Sequence, residues 1–173
     1  MNKHKGFTLV ELLIVIVVIG ILASMMMIST SESTSTAKAN TIISNLRNFS
    51  MAAMAYYTDS MDTFGKTPNT EINMNKVKGY MHNEGKIPDE DKYMVLNHSV
   101  TEGGKTISTW WARYDASNDD VRIKEKLAGR AQSANLKGST NIETTPTKTT
   151  AGKYPDYNKD AVVWLLIRTN KRN

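Results

Sequence analysis

A single carboxylate inside a long apolar stretch is the feature of this chain with the clearest chemical consequence. Residues 7–28 contain only three polar side chains, Thr8, Glu11 and Ser24. As a helix these 22 residues would extend about 33 Å, close to one hydrocarbon thickness. A carboxylate at mid-bilayer costs roughly 2.5–3.5 kcal/mol, and less toward the edge, so an intramembrane acid calls for a partner. Upstream, Lys3 and Lys5 would hold the N-terminal end in the cytoplasm, and Gly6 stands directly before the aromatic Phe7. A cut after Gly6 would free a positive amine on Phe7, four residues before Glu11. Helical spacing would put the two charges on one face, one turn apart. When copies pack side by side, the acid of one could meet the amine of the next. Buried charges persist when paired and are costly when single, so such a pair would set the axial register between subunits.

Simpler accounts of the stretch fit less well. A secretory signal has an apolar core of about 7–15 residues followed by a small-x-small cleavage site. This run is longer, exits through "ASMMMI" and holds an acid near its start. A plain membrane anchor fits the length and leaves Glu11 unexplained.

Other residue types point to no catalytic chemistry. His4 lies in the leader, and His82 and His98 have no metal-ligand spacing around them. No P-loop, dinucleotide glycine pattern or nucleophile motif appears. Asp115, Asp119 and Asp120 resemble half of a calcium loop without its glycine and closing glutamate. Asn48 and Asn97 begin sequons, which ordinary surface composition also explains. Neither enzyme activity, cofactor nor metal is expected.

The string "KGFTLVELLIVIVVIGILA" resembles the processing and assembly motif of type IV pilins and the related pseudopilins. The resemblance implies that a dedicated prepilin peptidase cuts between Gly6 and Phe7, that Phe7 is then methylated, and that Glu11 serves assembly. It implies as partners further copies of the chain in a helical homopolymer, the peptidase, the pilus assembly machinery, and membrane lipid before assembly. Beyond the first 25 or so residues it implies only a general plan: an α+β fold with a long N-terminal helix packed on a small antiparallel β-sheet. Many members carry a proline near the position of Ile28, where the helix kinks; here Gly20 is the one intrinsic weak point in the span.

Three parts are expected: a leader at 1–6, a transmembrane and assembly half of the helix at 7–28, and a head at 29–173. The head's 145 residues suffice for one core of ordinary size. The 22 basic and 17 acidic residues give +5, falling to +3 when Lys3 and Lys5 leave with the leader. That mild excess fits a solvated surface, and no specific nucleic-acid partner is expected. With no cysteine, the head must hold together by packing alone.

Residues 29–36 are polar with poor helix propensity and mark the exit from lipid. Residues 37–57 return to helical period. Ala39, Ile42, Ile43, Leu46, Phe49, Ala53, Met54 and Tyr57 form the apolar face; Lys38, Asn40, Thr41, Ser44, Asn45, Arg47 and Asn48 form the polar one. A turn-rich connector follows at 59–68, then an ambiguous stretch at 69–83 where Ile72, Val77, Tyr80 and Met81 suit a short helix. Residues 86–91 read as a loop around Pro88. Residues 93–100 and 106–114 read as a hairpin bent at Gly103 and Gly104. Adjacent Trp110 and Trp111 must then face opposite ways, one to the helix and one to a loop or a neighbouring subunit. Ser117 or Asn118 is expected to cap a helix over 119–134. Residues 137–160 read as an exposed loop with room for an undetected strand. The apolar run 161–169 reads as a strand buried on both faces or central in its sheet, expected to pair with the hairpin and lie across the amphipathic helix.

Together these features predict a structural subunit of a type IV pilus. It would be a membrane precursor with its head outside, then part of a cell-surface filament. A pseudopilin of a secretion or DNA-uptake system and a singly anchored envelope binding protein are the alternatives. Adhesion, motility or DNA binding would be properties of the assembled surface.

Overall fold

The computed structural model describes residues 7–59, 70–71, 74–81, 86–87, 89–102, 105–141, 145–149 and 153–172. The connector after residue 59, His82, Pro88, Gly103 and Gly104 lie wholly or mostly outside them. One helix, α1 (Leu9–Asp59), runs without interruption for 51 residues, about 76 Å. The polar stretch at 29–36 does not break it. Its hydroxyls bond back to carbonyls of the preceding turn, Thr30 to Met26 at 2.8 Å and Ser35 to Ser31 at 2.9 Å. Tertiary contacts from the head grip the same turn and supply what propensity lacks.

The second half of α1 buries Ala39, Ile42, Ile43, Leu46, Phe49, Ala52 and Ala53. Two expectations about this face are corrected. Asn45 is buried and donates to the Tyr93 hydroxyl at 3.2 Å, because it lies three residues after Ile42 and four before Phe49, inside the stripe. Met54 is 38% exposed, at the margin of the buried face.

Against this face lies a five-stranded sheet, antiparallel throughout, in the order β1-β2-β3-β5-β4. The strands are β1 (Thr70–Glu71), β2 (Tyr93–Glu102), β3 (Lys105–Asp115), β4 (Leu136–Ser139) and β5 (Val162–Arg172). The fold is therefore α+β, as expected. The hairpin forms in the expected place, with Tyr93 opposite Tyr114 and Val95 opposite Ala112. Trp110, Ala112 and Tyr114 face α1, while Trp111 joins Val162 and Trp164 on the other side. There Tyr154, from the loop before β5, meets Trp111 edge-on at 4.8 Å. Trp111 thus meets a loop, one of the two places anticipated for it.

β5 is central, bonded to β3 on one side and β4 on the other, and Val162, Val163, Trp164 and Leu165 are all buried. A bulge between Trp110 and Trp111 shifts the pairing so that Arg168 stands opposite Trp110. Its guanidinium lies 4.5 Å from the centre of the Tyr57 ring, fastening the strand to the last turns of α1.

In the ambiguous stretch, β1 and a short helix α2 (Met74–Lys78) form. Val77 is buried, and Tyr80 donates to Asp59 at the end of α1. The expected helix over 119–134 is two pieces, α3 (Val121–Gly129) and α4 (Ala131–Ala134), separated at Arg130. Its cap is Asp120, whose carboxylate accepts from the Arg122 N–H at 2.8 Å; neither Ser117 nor Asn118 fills that place. The region read as a loop at 137–160 hides most of β4 and a bridge between Lys137 and Asp156. The period-two signal was lost there because Gly138 stands where an apolar residue would: a Cβ on it would collide with the Asp160 carboxylate.

Asp119 ties the elements together. Its carboxylate accepts from Lys92 Nζ and from the Tyr114 hydroxyl, both at 2.7 Å, while its side chain is 3% exposed. The Asp119 bond raises the Lys92 pKa; burial raises that of Tyr114, with the Asp119 bond adding to it. Replacing Asp119 with Ala strands two donors in a largely dry site. A loss of about 2–4 kcal/mol is expected in denaturant unfolding of the full chain in micelles. A change within about 0.5 kcal/mol, the range of ordinary surface substitutions, would show that the carboxylate does not bind the turn to the sheet.

Candidate functional site: the amino-terminal half of the long helix

From Leu9 to Met27 every side chain is exposed, covered by nothing among the described residues. Leu9 is 81% exposed, and the apolar side chains that follow it are exposed as well. The segment is long and apolar enough to cross a membrane. Gly20 sits within regular helix, with open space around its Cα. Ser24 donates to the Gly20 carbonyl at 2.8 Å, so the one polar hydroxyl in this region is satisfied by the backbone.

Gly6 lies outside the described residues. Phe7 is 76% exposed and, with Thr8, precedes the first helical turn. Glu11 faces back toward that start. Its Oε2 accepts from the Thr8 N–H at 2.9 Å and from the Thr8 hydroxyl at 2.7 Å, and its own N–H donates to Thr8 Oγ1 at 3.3 Å. This is a capping box, with Thr8 as N-cap and Glu11 as the third helical residue, and it satisfies backbone donors that lipid would leave bare. Sequence reasoning singled out Glu11 and missed Thr8, although the spacing T-x-x-E before an apolar run is a legible signal. Oε1 accepts no hydrogen bond among the described residues, so that oxygen keeps its acceptor capacity.

The remaining sequence candidates are occupied elsewhere. Asp115 accepts from the Ser117 N–H at 2.9 Å, Asp120 caps α3, and Asp119 holds Lys92 and Tyr114. Among the described residues no three of His, Cys, Asp or Glu come together. His98 is half-buried on β2, and burial lowers its pKa. Asn97 is 3% exposed, which leaves no room for a sugar, whereas Asn48 is on the open face of α1.

The uncovered helix, its capped start and the acid within it coincide with a family match: the first 27 residues fit the family model described as the prokaryotic N-terminal methylation motif. Residues 1–27 carry the methylation motif of type IV pilins and pseudopilins. No curated protein and no solved structure matches the chain. The methylation motif points to a structural protein rather than an enzyme, and implies prepilin peptidase and an assembly machinery as partners. Together with the apolar helix it is consistent with a membrane-anchored precursor.

If the capping box sets the start of α1, Thr8→Val should unpin it while keeping side-chain shape. The Glu11 amide should then exchange with solvent roughly fivefold faster in micelles, as loss of a cap worth about 1 kcal/mol requires. Thr8→Ser should exchange at the wild-type rate. Equal rates for all three proteins would show that the hydroxyl does not cap the helix.

Proposed function

We propose that this chain is the structural subunit of a type IV pilus, cut after Gly6, methylated on Phe7 and polymerised through the first half of α1. One observation carries the reading: the residues that match the methylation motif include an apolar helix that nothing among the described residues covers. In the precursor, residues 1–6 are a leader, residues 7–28 lie in the cytoplasmic membrane, and residues 29–173 form the head outside. Hydrocarbon clothes the helix before assembly and neighbouring copies clothe it afterwards.

Glu11 supplies the register. In the single chain its Oε2 is taken by Thr8, which lowers the cost of keeping a carboxylate near the membrane edge. Cleavage creates an amine on Phe7, and Oε1 is open to the amine of an adjoining copy. Only one axial offset between copies brings the two together, and any other offset leaves two charges single in a greasy medium. Charge pairing thereby selects one helical lattice from the many that apolar contact alone would permit.

Two substitutions separate processing from assembly. Gly6→Val should leave the precursor uncleaved, seen as an unshifted band on a gel, whereas Glu11→Ala should be cleaved normally and give few or aberrant filaments by electron microscopy. Normal maturation of the first, or wild-type filaments from the second, would overturn the corresponding step.

A further inference from the structure

Where α1 leaves its apolar half, an open groove of about 490 Å³ is lined by Ala23, Met26, Met27, Thr30 and Ser31. Its lower wall is apolar, with Met26 and Met27 74% and 77% exposed. Thr30 spends its hydroxyl on the Met26 carbonyl, so little polarity is offered there. Just beyond the lining, Arg122 of the head reaches its last residue, Nη1 donating to Ser31 Oγ at 2.7 Å. Two further bonds run from Nε and Nη2 to Asp120, at 3.3 and 3.2 Å. A guanidinium has five N–H donors, so among the described residues two remain, one on each terminal nitrogen, on a side chain that is 54% exposed.

We infer that this groove holds a phospholipid of the outer leaflet, its phosphate on Arg122 and one acyl chain along Ala23, Met26 and Met27. The inference rests on residues 7–28 spanning a membrane, as proposed above. Depth supports it: Ser31 stands about 36 Å along the helix from Phe7, just beyond a hydrocarbon core of about 30 Å. The groove therefore passes from acyl to headgroup level, as an amphiphile does. Donor geometry supports it too: beside its ion pair with Asp120, Arg122 keeps guanidinium donors that match phosphate oxygens. A second copy at the same depth is a poorer occupant. Of its nearest acids, Glu32 is already paired with Lys126, and Glu11 lies about 30 Å away toward the opposite leaflet. The lipid would brace the head against the bilayer until assembly removes it.

The test is native mass spectrometry of the full chain released from micelles containing phosphatidylglycerol. The wild type should retain one lipid. Arg122→Gln should retain about tenfold less, since the Asp120 cap on its backbone N–H is kept and α3 stays folded. Met27→Gln, on the exposed floor, should lower retention about threefold. Lys159→Gln, which removes a cation paired with Glu125 away from the groove, should match the wild type. Glycerophosphate, a headgroup without chains, should not be retained. Equal retention by Arg122→Gln and the wild type, or an equal loss in Lys159→Gln, would overturn the site. A chain that is cleaved and polymerises yet keeps no lipid defeats this inference alone; an uncleaved chain that keeps lipid defeats only the filament reading.

Discussion

A helix of 51 residues that enters its own hydrophobic core only from Ser35 onward leaves its first half without an apolar partner among the described residues. Everything else is arranged around that imbalance. The sheet covers one stripe of the second half, α3 and its side chains grip the turn at Ser31 and Glu32, and among the described residues nothing reaches below. Apolar area of this extent is not left in water: at about 25 cal/mol per Å², even a few uncovered leucines outweigh several hydrogen bonds. Among the described residues nothing supplies that cover, and the methylation motif occupies the same residues.

A head without cysteines needs another way to secure its C-terminal end. Here the last strand is placed inside the sheet, with β3 and β4 bonded on either side. Both faces of β5 are buried, Val163 and Leu165 under α1, Val162 and Trp164 under the Tyr154 loop. Arg168 over Tyr57 closes the far end. Unzipping such a strand breaks two ladders and two apolar clusters at once, which fixes a terminus as an edge strand could not.

Elements with strong periodicity were legible in the sequence, because period and burial agree there. The stripe from Ala39 to Phe49, the hairpin, and the run at Val162–Leu165 show this directly. What stayed hidden was decided by contacts distant in sequence. Asn45 looks like a surface residue until Tyr93, 48 positions away, takes its amide. β4 has too short a pattern to see, and Gly138 is there because Asp160 presses against it. The split of the helix at Arg130 follows weak propensity at Gly129, which the periodicity of Ile123, Leu127 and Ala131 masked. In the candidate site, Glu11 was conspicuous because a charge in an apolar run is costly. Thr8 was readable and overlooked, and Arg122 lies 91 positions from the serine it meets, with no local signal at all.

The central claim is that the carboxylate of Glu11 has one partner in its own chain and another across a subunit boundary. An atomic-resolution electron-microscopy structure of the assembled polymer tests it most directly. The account predicts Oε1 of Glu11 within salt-bridge reach, about 4 Å, of the Phe7 nitrogen of an adjoining copy, with Thr8 still bonded to the other oxygen. A polymer in which every Glu11 faces only its own Thr8, with the terminal nitrogens elsewhere, would contradict it.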